Sequence, residues 1–465
     1  MTSFDLDPGK HDRGRGDTGV DYAFKPERGI NRGVVEQIAW WTGEPEWMTK
    51  MRVRSLRLFD KKPMAEWFAV NMPDIDFQDI YCSRGPQGEH VCEGDQLPEE
   101  SLRTYGKFGT PEDQRHYLVG ARYESEVGYH KNRADLAEQG ILFCDMDTAL
   151  REYPHLVKEY FGTIIPPGDN KFAALNTSVW SGGSFIYVPP GAEVVMPLQA
   201  DFRIDSDDAG QFERTLIIAD EGSKVHYIEG CSAPVYTKNW LHSAVVEIVV
   251  KPNARVTYTT IQNWSSNVYN LVTKRARVEA GGHMEWIDCN IGSKLTMTYP
   301  SVHLVGDGAT GEVLSVAYAG KGQHQDTGAT MVHAAPNTTS KIISKSISND
   351  GGMTTYRGLV RVEEGAVGAK SHIECDALIL DEHSVSRTFP VMDIGEPDAQ
   401  MSDESTVSKI ADKQLFYIMS RGLSEEQAMS LIVNGFIEPI TTALPMEYAV
   451  EWSRLVELQM EGSVG

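Results

Sequence analysis

Short runs of alternating apolar and polar residues recur between residues 188 and 370, and the same kind of turn separates them. Each turn ends an apolar run with polar or Pro residues before a Gly or Asn, at Gly191, Gly222, Asn253, Gly281, Gly308, Asn337 and Gly365. Their spacing stays between 27 and 31 residues. Gly and Asn tolerate positive φ, so each can form a sharp corner. A fixed period of about 30 residues predicts a solenoid of stacked coils.

The residues between the turns alternate with a period of two, as in 215–219, 224–228 and 255–261. This alternation predicts β-strands and excludes helical repeats, whose apolar positions recur every three or four residues. The sequence therefore predicts a mainly β protein whose core is a β-solenoid. Each coil places some side chains in a narrow interior, and one phase of the repeat recurs along one line.

The N-terminal part of the chain has a different pattern. Residues 1–20 are polar and Gly-rich, which predicts a disordered tail. Apolar residues at helical spacing predict an N-terminal helical domain over 21–165. Within it, further helices are expected at 111–138 and 147–161.

Strands are expected to begin near Phe172, which gives a β-helix core over residues 166–410. The helical spacing of apolar residues returns in 411–465, where Ser424 and Gln427 form a capping box. These residues are predicted to form a C-terminal helical domain. The flanking helices are candidates to cover the solenoid, because a solenoid leaves both ends of its core exposed.

Composition narrows the setting of the protein. Hydrophobic residues make up 41% of the chain, but no run approaches the roughly 20 apolar residues of a membrane span. The first residues lack the apolar segment of a secretory signal, so we expect a cytoplasmic protein. The net charge of −23 argues against nucleic acid as a partner, because phosphate binding requires a basic surface.

The six cysteines are scattered and none lies in a CxxC pair. This spacing predicts reduced thiols and excludes the usual zinc and ferredoxin motifs. The chain also lacks a P-loop, a GxSxG elbow and an HExxH helix, and neither of its GxGxxG strings, at 14–19 and 306–311, joins a predicted strand to a helix as a dinucleotide-binding fingerprint does. We therefore expect no ATP site of its own and no enzymatic activity of the hydrolase or dehydrogenase kind.

Two cysteines stand in contexts that suit chemistry. Cys375 alternates with Glu374 and Asp376, which places the thiol and the two carboxylates on opposite faces of a strand. One coil later, alternation separates Asp403 from Glu404 in an acidic segment. A thiol near carboxylates suits iron, but buried packing and a solvated acidic edge are equally consistent with the pattern.

Cys231 follows Glu229 and Gly230 and precedes a Pro three residues later. This position at a strand end favours an accessible, reactive thiol. Packing in the core is the alternative.

Several longer segments resemble the SufB/SufD family of the SUF iron–sulfur cluster assembly system, and within it the scaffold branch, SufB. The resemblance spans nearly the whole chain from about Tyr22. It is carried by segments 43–47, 180–191, 211–216, 227–234, 241–247, 261–264, 269–275, 412–417 and 460–465. Among these, Trp-Ser-Gly-Gly-Ser-Phe-Ile-Tyr-Val-Pro-Pro-Gly ends at Gly191 and Tyr-Ile-Glu-Gly-Cys-Ser-Ala-Pro contains Cys231.

The resemblance implies a right-handed parallel β-helix flanked by helices. It implies a scaffold that accepts persulfide sulfur and iron, builds a transient iron–sulfur cluster and passes it to apo iron–sulfur proteins. The implied partners are a SufC-type ABC ATPase, which docks on the C-terminal helical domain, and SufD or a second SufB. A cysteine desulfurase with a sulfur-transfer protein would supply the sulfur. Flavin binding is left open.

Site residues follow from the resemblance by position. Cys231 corresponds to the persulfide acceptor and Cys375 to the cysteine that holds the nascent cluster. Thr260 and Lys274 correspond to positions that line a route through the β-helix, and Arg203 lies near its entry.

The acidic segment departs from the family pattern. Glu404 is retained, but Asp403 stands where the family has a His, so the nitrogen ligand is missing or comes from a partner. We expect Cys375 and Glu404 to supply this chain's side of the cluster site, with Asp403 as a further candidate ligand.

Two alternatives come from other functional classes. One is a SufD-like structural subunit without its own cluster, which the missing His favours and the two cysteines oppose. The other is a carbohydrate-active β-helix enzyme, which would require acidic or basic residues clustered on one exposed face.

Overall fold

The computed structural model describes residues 22–24, 26–64, 75–82, 85–86, 121–123, 126–128, 136, 138–203, 210–232, 240–410 and 412–461. Its helices are α1 Arg32–Thr42, α2 Glu46–Lys61, α3 Met146–Glu152, α4 Pro154–Tyr160, α5 Lys171–Val179, α6 Asp412–Met419, α7 Glu425–Thr441 and α8 Met446–Glu461. The first eleven strands are β1 Tyr22–Phe24, β2 Gly85–Pro86, β3 Ala121–Tyr123, β4 Glu126–Gly128, β5 Leu142–Asp145, β6 Ser184–Val188, β7 Leu198–Arg203, β8 Arg214–Ala219, β9 Lys224–Ser232, β10 Trp240–Val250 and β11 Arg255–Trp264. The others are β12 Val268–Val278, β13 His283–Gly292, β14 Leu295–Thr298, β15 Ser301–Leu304, β16 Thr310–Ala319, β17 His324–His333, β18 Thr339–Ser348, β19 Met353–Val362, β20 Lys370–Ile379, β21 Val385–Ile394 and β22 Gln400–Lys409.

The strands of the core alternate between two sheets as the chain coils. One sheet has the order β5-β6-β8-β10-β12-β14-β17-β19-β21, with β15 between β12 and β17, and we call it the N sheet. The other has the order β4-β3-β7-β9-β11-β13-β16-β18-β20-β22, and we call it the C sheet. Pairing within these two sheets is parallel except for β3 with β4 and β5 with β6, and β1 pairs with β2 antiparallel in a separate sheet. The protein is thus mainly β, with a parallel β-solenoid of about seven coils between terminal helices, which confirms the predicted fold class.

The predicted corners are where the chain turns between the sheets. All seven have positive φ: Gly191 70°, Gly222 68°, Asn253 58°, Gly281 63°, Gly308 67°, Asn337 56° and Gly365 89°. A left-handed residue lets the chain reverse within a few residues, so the next strand can join the opposite sheet.

One corner allows a direct test of this requirement. A Cβ added at Gly308 would meet no other atom within 4 Å, so only the backbone conformation limits substitution there. We expect Gly308→Asn to be nearly neutral, whereas Gly308→Val should lower the unfolding free energy by about 1–2 kcal/mol, because a β-branched residue is strained at positive φ. Chemical denaturation measures both. Equal stability of the two variants would contradict the corner's dependence on backbone conformation.

Each sheet buries its outer surface under one set of terminal helices. The N sheet packs Leu241 and Leu271 against α1, α2 and α5, and Val245 and Val249 against α3, α4 and the segment that follows α4. The C sheet packs a stripe of apolar residues against α7 and α8, including Ile287 opposite Val433 and Trp452. Helices therefore cover both flat faces, and the space between the sheets is a separate interior.

The N-terminal region contains more strand than the sequence predicts. Residues 121–123 and 126–128 form an antiparallel pair within the segment predicted to be helical, and β3 extends the C sheet next to β7. Phe172, expected to begin the strands, lies in α5, where Asn170 accepts hydrogen bonds from the first turn. Every residue from Phe172 to the end of α5 is buried, so its sequence lacks the amphipathic period of a surface helix.

The predicted tail over residues 1–20 lies outside the described residues. Within the part of the chain that the structure describes, no helix is long and apolar enough to cross a membrane.

Candidate functional site

A line of hydrogen-bonding side chains crosses the interior on the C sheet. Its members occupy one register position on neighbouring strands, and we call them the interior row: Glu229, Thr260, Asp288, Ser315, Ser344 and Cys375. All six are buried, with at most 5% of their surface exposed. Five strand spacings of about 4.8 Å separate its ends, so the interior row is roughly 24 Å long.

The repeat places these residues at a fixed phase. Glu229, Thr260, Asp288, Ser315 and Ser344 each follow a corner by seven residues, at Gly222, Asn253, Gly281, Gly308 and Asn337 respectively. Alternation within each strand then turns this position towards the interior. The position two residues earlier on the same face is apolar and packs as a column that includes Tyr227, Tyr258 and Trp286. The interior row is therefore a polar line beside an aromatic one.

A buried ion pair between Lys274 and Asp288 lies beside the interior row. Lys274, on β12 of the N sheet, donates from Nζ to Asp288 Oδ1 at 2.7 Å and to Thr260 Oγ1 at 3.0 Å. Thr260 in turn donates its hydroxyl to Asp288 Oδ1, and Asn290 donates its amide to Asp288 Oδ2 at 2.9 Å. Burial acts to raise the pKa of Asp288, but Lys274 and these hydrogen bonds outweigh it and lower the pKa. Lys274 thus joins the two sheets across the interior.

Cys231 lies at the β9 end of the interior row, two residues beyond Glu229 and on the same face. Its Sγ is 3.8 Å from Glu229 Oε1, and only 2% of the residue is exposed. Tyr258 donates its hydroxyl to Glu229 Oε2 at 2.7 Å. Burial, reinforced by the charge of Glu213, raises the pKa of Glu229 to about 7. This end of the interior row therefore combines a thiol with two carboxylates in a dry environment.

Cys375 lies at the opposite end, one strand from the edge of the C sheet. It is 5% exposed and packs with Ile373 and Tyr356 in the interior. Burial raises the pKa of its thiol to about 12, and the nearby carboxylate of Asp403 contributes to the increase. The thiol is therefore protonated at neutral pH in this chain by itself.

The acidic segment on β22 divides between the two faces of the sheet. Asp403 pairs in register with Ile373, and Ser405 with Cys375, so Asp403 shares the inward face with the thiol. Glu404 pairs with Glu374, whose carboxylate binds Lys345 on the outward face near α7. The structure thus brings Asp403 towards Cys375 and places Glu404 on the other side of the strand.

The predicted route residues lie where the interior row begins. Thr260 is the second member of the interior row, and Lys274 binds it directly. Arg203 ends β7 and pairs in register with Ser232, next to Cys231. Sequence reasoning did not select Glu213, Glu229, His242 or Asp288 as site residues. The recurrence seven residues after a corner would have found Glu229 and Asp288, whereas Glu213 and His242 approach only through the packing of the sheets.

The last coil leaves its end open. Most residues of β21 and β22 are exposed, including the apolar side chains of Phe389, Val391, Ile394 and Val407, which are 42–54% exposed. β21 and β22 are also the terminal strands of their sheets, so their outer backbone groups have no neighbouring strand among the described residues. Cys375 and Asp403 lie beside this open end.

Two parallel sheets with a polar row between buried thiols define a β-solenoid protein whose candidate chemistry lies inside the coil. Residues 202–436 match the family model described as SUF system FeS cluster assembly, SufBD core domain, and residues 115–200 match the SufBD protein N-terminal region. Relatives named iron-sulfur cluster assembly SufBD family protein occur in Staphylococcus aureus strains MRSA252 and USA300 and in Staphylococcus haemolyticus strain JCSC1435. Each is 55% identical over 444 residues, covering 95% of both chains. The chain therefore belongs to the SufBD family of the SUF iron–sulfur cluster assembly system.

Proposed function

We propose that this chain is the scaffold on which the SUF system builds an iron–sulfur cluster, with sulfur entering at Cys231 and the cluster forming at Cys375. The observation that carries the proposal is the interior row, which connects the two thiols by buried hydroxyl and charged groups. A subunit with a purely structural role has no need of a charged lysine and three carboxylates in its core, because burying such groups is costly. This argument favours a SufB-type scaffold over a SufD-like partner.

The sulfur step can be written with its electrons. A persulfide on Cys231 takes up two electrons and one proton from a two-electron donor, such as a reduced flavin or a dithiol on another component. The S–S bond breaks, the thiol forms again and hydrosulfide, HS⁻, leaves. We expect Lys274 and the hydroxyl of Ser344 to donate hydrogen bonds to this anion, since the hydroxyls of Thr260 and Ser315 already donate to Asp288 and Ser344.

The cluster step uses the open end of the solenoid. Incoming iron binds Cys375 and displaces the thiol proton, because a coordinated thiol is deprotonated even where burial raises its pKa. Asp403 is positioned to supply a carboxylate from the same face. Glu404 faces away, so it would join the cluster only through a partner's surface or a change in the edge strand.

The exposed surfaces suggest where partners bind. The open edges of β21 and β22 suit a second solenoid, SufD or another copy of this chain, which would complete the site next to Cys375. The apolar side chains of Phe416, Tyr417 and Leu431 on α6 and α7 are 56–74% exposed and suit the SufC-type ATPase. A desulfurase with its sulfur-transfer protein would act at the Cys231 end, and apo-proteins would collect the cluster at the other.

Reconstitution with two sulfur sources tests the assignment of the two thiols. We expect Cys375→Ala to lose at least about nine-tenths of cluster formation, read by visible absorption and Mössbauer spectra under anaerobic conditions, whether sulfur comes from a desulfurase or from added sulfide. Cys231→Ser should lose only the desulfurase-dependent assembly. Cys289→Ala is the matched control, because this buried thiol lies on the outer face of the C sheet. Full cluster loading of the Cys375→Ala variant from either source would refute the proposal.

A further inference from the structure

We propose that Glu213, Glu229, Cys231 and His242 form an interior binding site for one divalent transition-metal ion, and that the ion is Fe²⁺ under the conditions of cluster assembly. The site faces the interior at the end of the interior row where sulfur is proposed to enter. The choice of Fe²⁺ rests on the proposed function, but the site itself depends only on these four side chains.

The separations between donor atoms fit a mononuclear ion. One ligand atom each from Glu213, Glu229 and Cys231 lies within 4.8 Å of the others, and all three residues are buried. Cys231 Sγ and Glu229 Oε1 are 3.8 Å apart, and His242 Nε2 and Glu213 Oε2 are 3.8 Å apart. Tetrahedral ligands at usual metal distances would be separated by about 3.6 Å and about 3.4 Å respectively, so each of these two pairs is within about 0.4 Å of the spacing that a shared ion requires.

The hydrogen-bond network sets His242 in the form that binds metals. Trp264 Nε1 can only donate, and it donates to Gln262 Oε1 at 3.2 Å. Asn270 donates its amide nitrogen to the same oxygen, which turns Asn270 Oδ1 towards His242. Because Oδ1 accepts only, His242 Nδ1, at 2.7 Å from it, carries the proton.

Nε2 is then the ring nitrogen left to bind a metal ion or a second proton. This atom has no hydrogen-bond partner among the described residues, and the His242 side chain is fully buried. It faces the carboxylate of Glu213, so two electron-pair donors point at each other in a dry interior. Such an arrangement requires a cation between them, either a proton or a metal ion. A metal-binding imidazole usually donates its other N–H to an acceptor, as Nδ1 does here to Asn270 Oδ1.

The charges around the site favour a metal ion. The ammonium group of Lys274 binds Asp288 at 2.7 Å, and its charge also lowers the pKa of Glu229, but burial and the charge of Glu213 outweigh this effect. Two buried carboxylates and a thiolate suit a divalent counter-ion. A set of one sulfur, one imidazole nitrogen and two carboxylates is too soft for Mg²⁺ or Ca²⁺ and matches Fe²⁺, Co²⁺ or Zn²⁺.

A bound ion would change how Cys231 reacts. Coordination deprotonates the thiol and occupies the sulfur lone pair that attacks a persulfide donor. Metal and incoming sulfur therefore compete for Sγ, and iron held here is within reach of sulfide as it forms.

Cobalt titration of the full-length Cys375→Ala chain, which lacks the thiol of the proposed cluster site, tests the interior site under anaerobic conditions without any requirement for activity. We expect one Co²⁺ per chain, with a near-ultraviolet thiolate-to-metal charge-transfer band. Cys231→Ser should abolish the band, and Glu213→Gln and His242→Gln should weaken binding at least about tenfold. Cys289→Ala in the same background should leave the band unchanged, because this thiol lies on the outer face of the C sheet. Thermal unfolding of each variant identifies any that fail to fold, which are then replaced by Asn270→Ala, expected to weaken binding through the orientation of His242.

A second measurement uses the chemistry of the thiol. Co²⁺ or Fe²⁺ should slow alkylation of Cys231 at least about tenfold in the wild-type chain, as read by mass spectrometry of its peptide, and the protection should be lost in His242→Gln. Absence of the band in the folded Cys375→Ala chain, together with absence of protection in the wild-type chain, shows that a proton alone occupies the site and overturns the proposal. The same holds if the band persists in Cys231→Ser. If cluster assembly continues in either case, the scaffold function still holds although the metal site does not. The scaffold function is tested separately by cluster assembly in Cys375→Ala, which should be lost while the cobalt band stays intact.

Discussion

Replacing Glu247 by Ala is expected to lower the free energy of unfolding by about 3–5 kcal/mol, because it leaves a buried guanidinium without its partner. Glu247 lies on β10, facing the helices that cover the N sheet, and both it and Arg214 are fully buried. Its carboxylate binds Arg214 and accepts backbone hydrogen bonds from Gly162 at 2.9 Å, Ile164 at 3.0 Å and Ile165 at 2.8 Å. One side chain thus fixes the segment that leads from α4 into the solenoid.

Guanidinium denaturation followed by circular dichroism measures this loss. Glu193→Ala is the matched control, because Glu193 forms an exposed pair with Lys224 and should change stability by no more than about 0.5 kcal/mol. If both variants unfold at the same denaturant concentration as the wild type, the buried pair does not anchor the N-terminal helices.

Replacing Lys274 by Met is expected to reduce the passage of sulfur from Cys231 to the cluster by about 100-fold, because it removes the cation that stabilises an anion inside the solenoid. The same change leaves Asp288 buried without its partner and should lower the free energy of unfolding by about 3–5 kcal/mol. A second substitution separates the two effects. In Lys274→Met with Asp288→Asn, the neutral amide can still accept from Thr260, so most of the stability should return while sulfur passage stays low.

Reconstitution with a desulfurase measures sulfur passage, and reconstitution with added sulfide is the control. Both Lys274 variants should form clusters from sulfide at Cys375 as well as the wild type does, provided that they fold. Recovery of desulfurase-dependent assembly in the double variant would show that the ion pair has a structural role only.

The period of the turns determines the fold class without any information on tertiary contacts. Gly and Asn adopt positive φ more readily than other residues, so the seven corners can be recognised from the residue types in the sequence. The alternation between the corners likewise requires strands. The N-terminal region was harder to predict, because α5 is buried on all sides and carries no amphipathic pattern, and because short strands such as β3 gain their stability from a neighbour in the sheet.

The candidate site is also predictable only in part, because some of its contacts depend on how strands pair and pack. The resemblance of the chain to a family identifies four site residues, and their positions along the interior follow from the repeat. They are Cys231, Thr260, Lys274 and Cys375. That Asp403 and Glu404 lie on opposite faces follows from alternation. The register between β20 and β22 decides whether Asp403 or Glu404 lies on the same face as Cys375. A shift of one residue in this register would exchange the two carboxylates.

The sequence by itself determined a mainly β solenoid of stacked coils, the positions of its corners and the phase at which polar residues enter its interior, because those properties depend on backbone conformation and on a period of two. Only the tertiary structure decided which coils meet across the interior. It brought Lys274 from one sheet to Asp288 on the other and set His242 opposite Glu213 beside Cys231. Contacts between two sheets depend on how the coils stack and pack, and no local pattern along the chain encodes that distance.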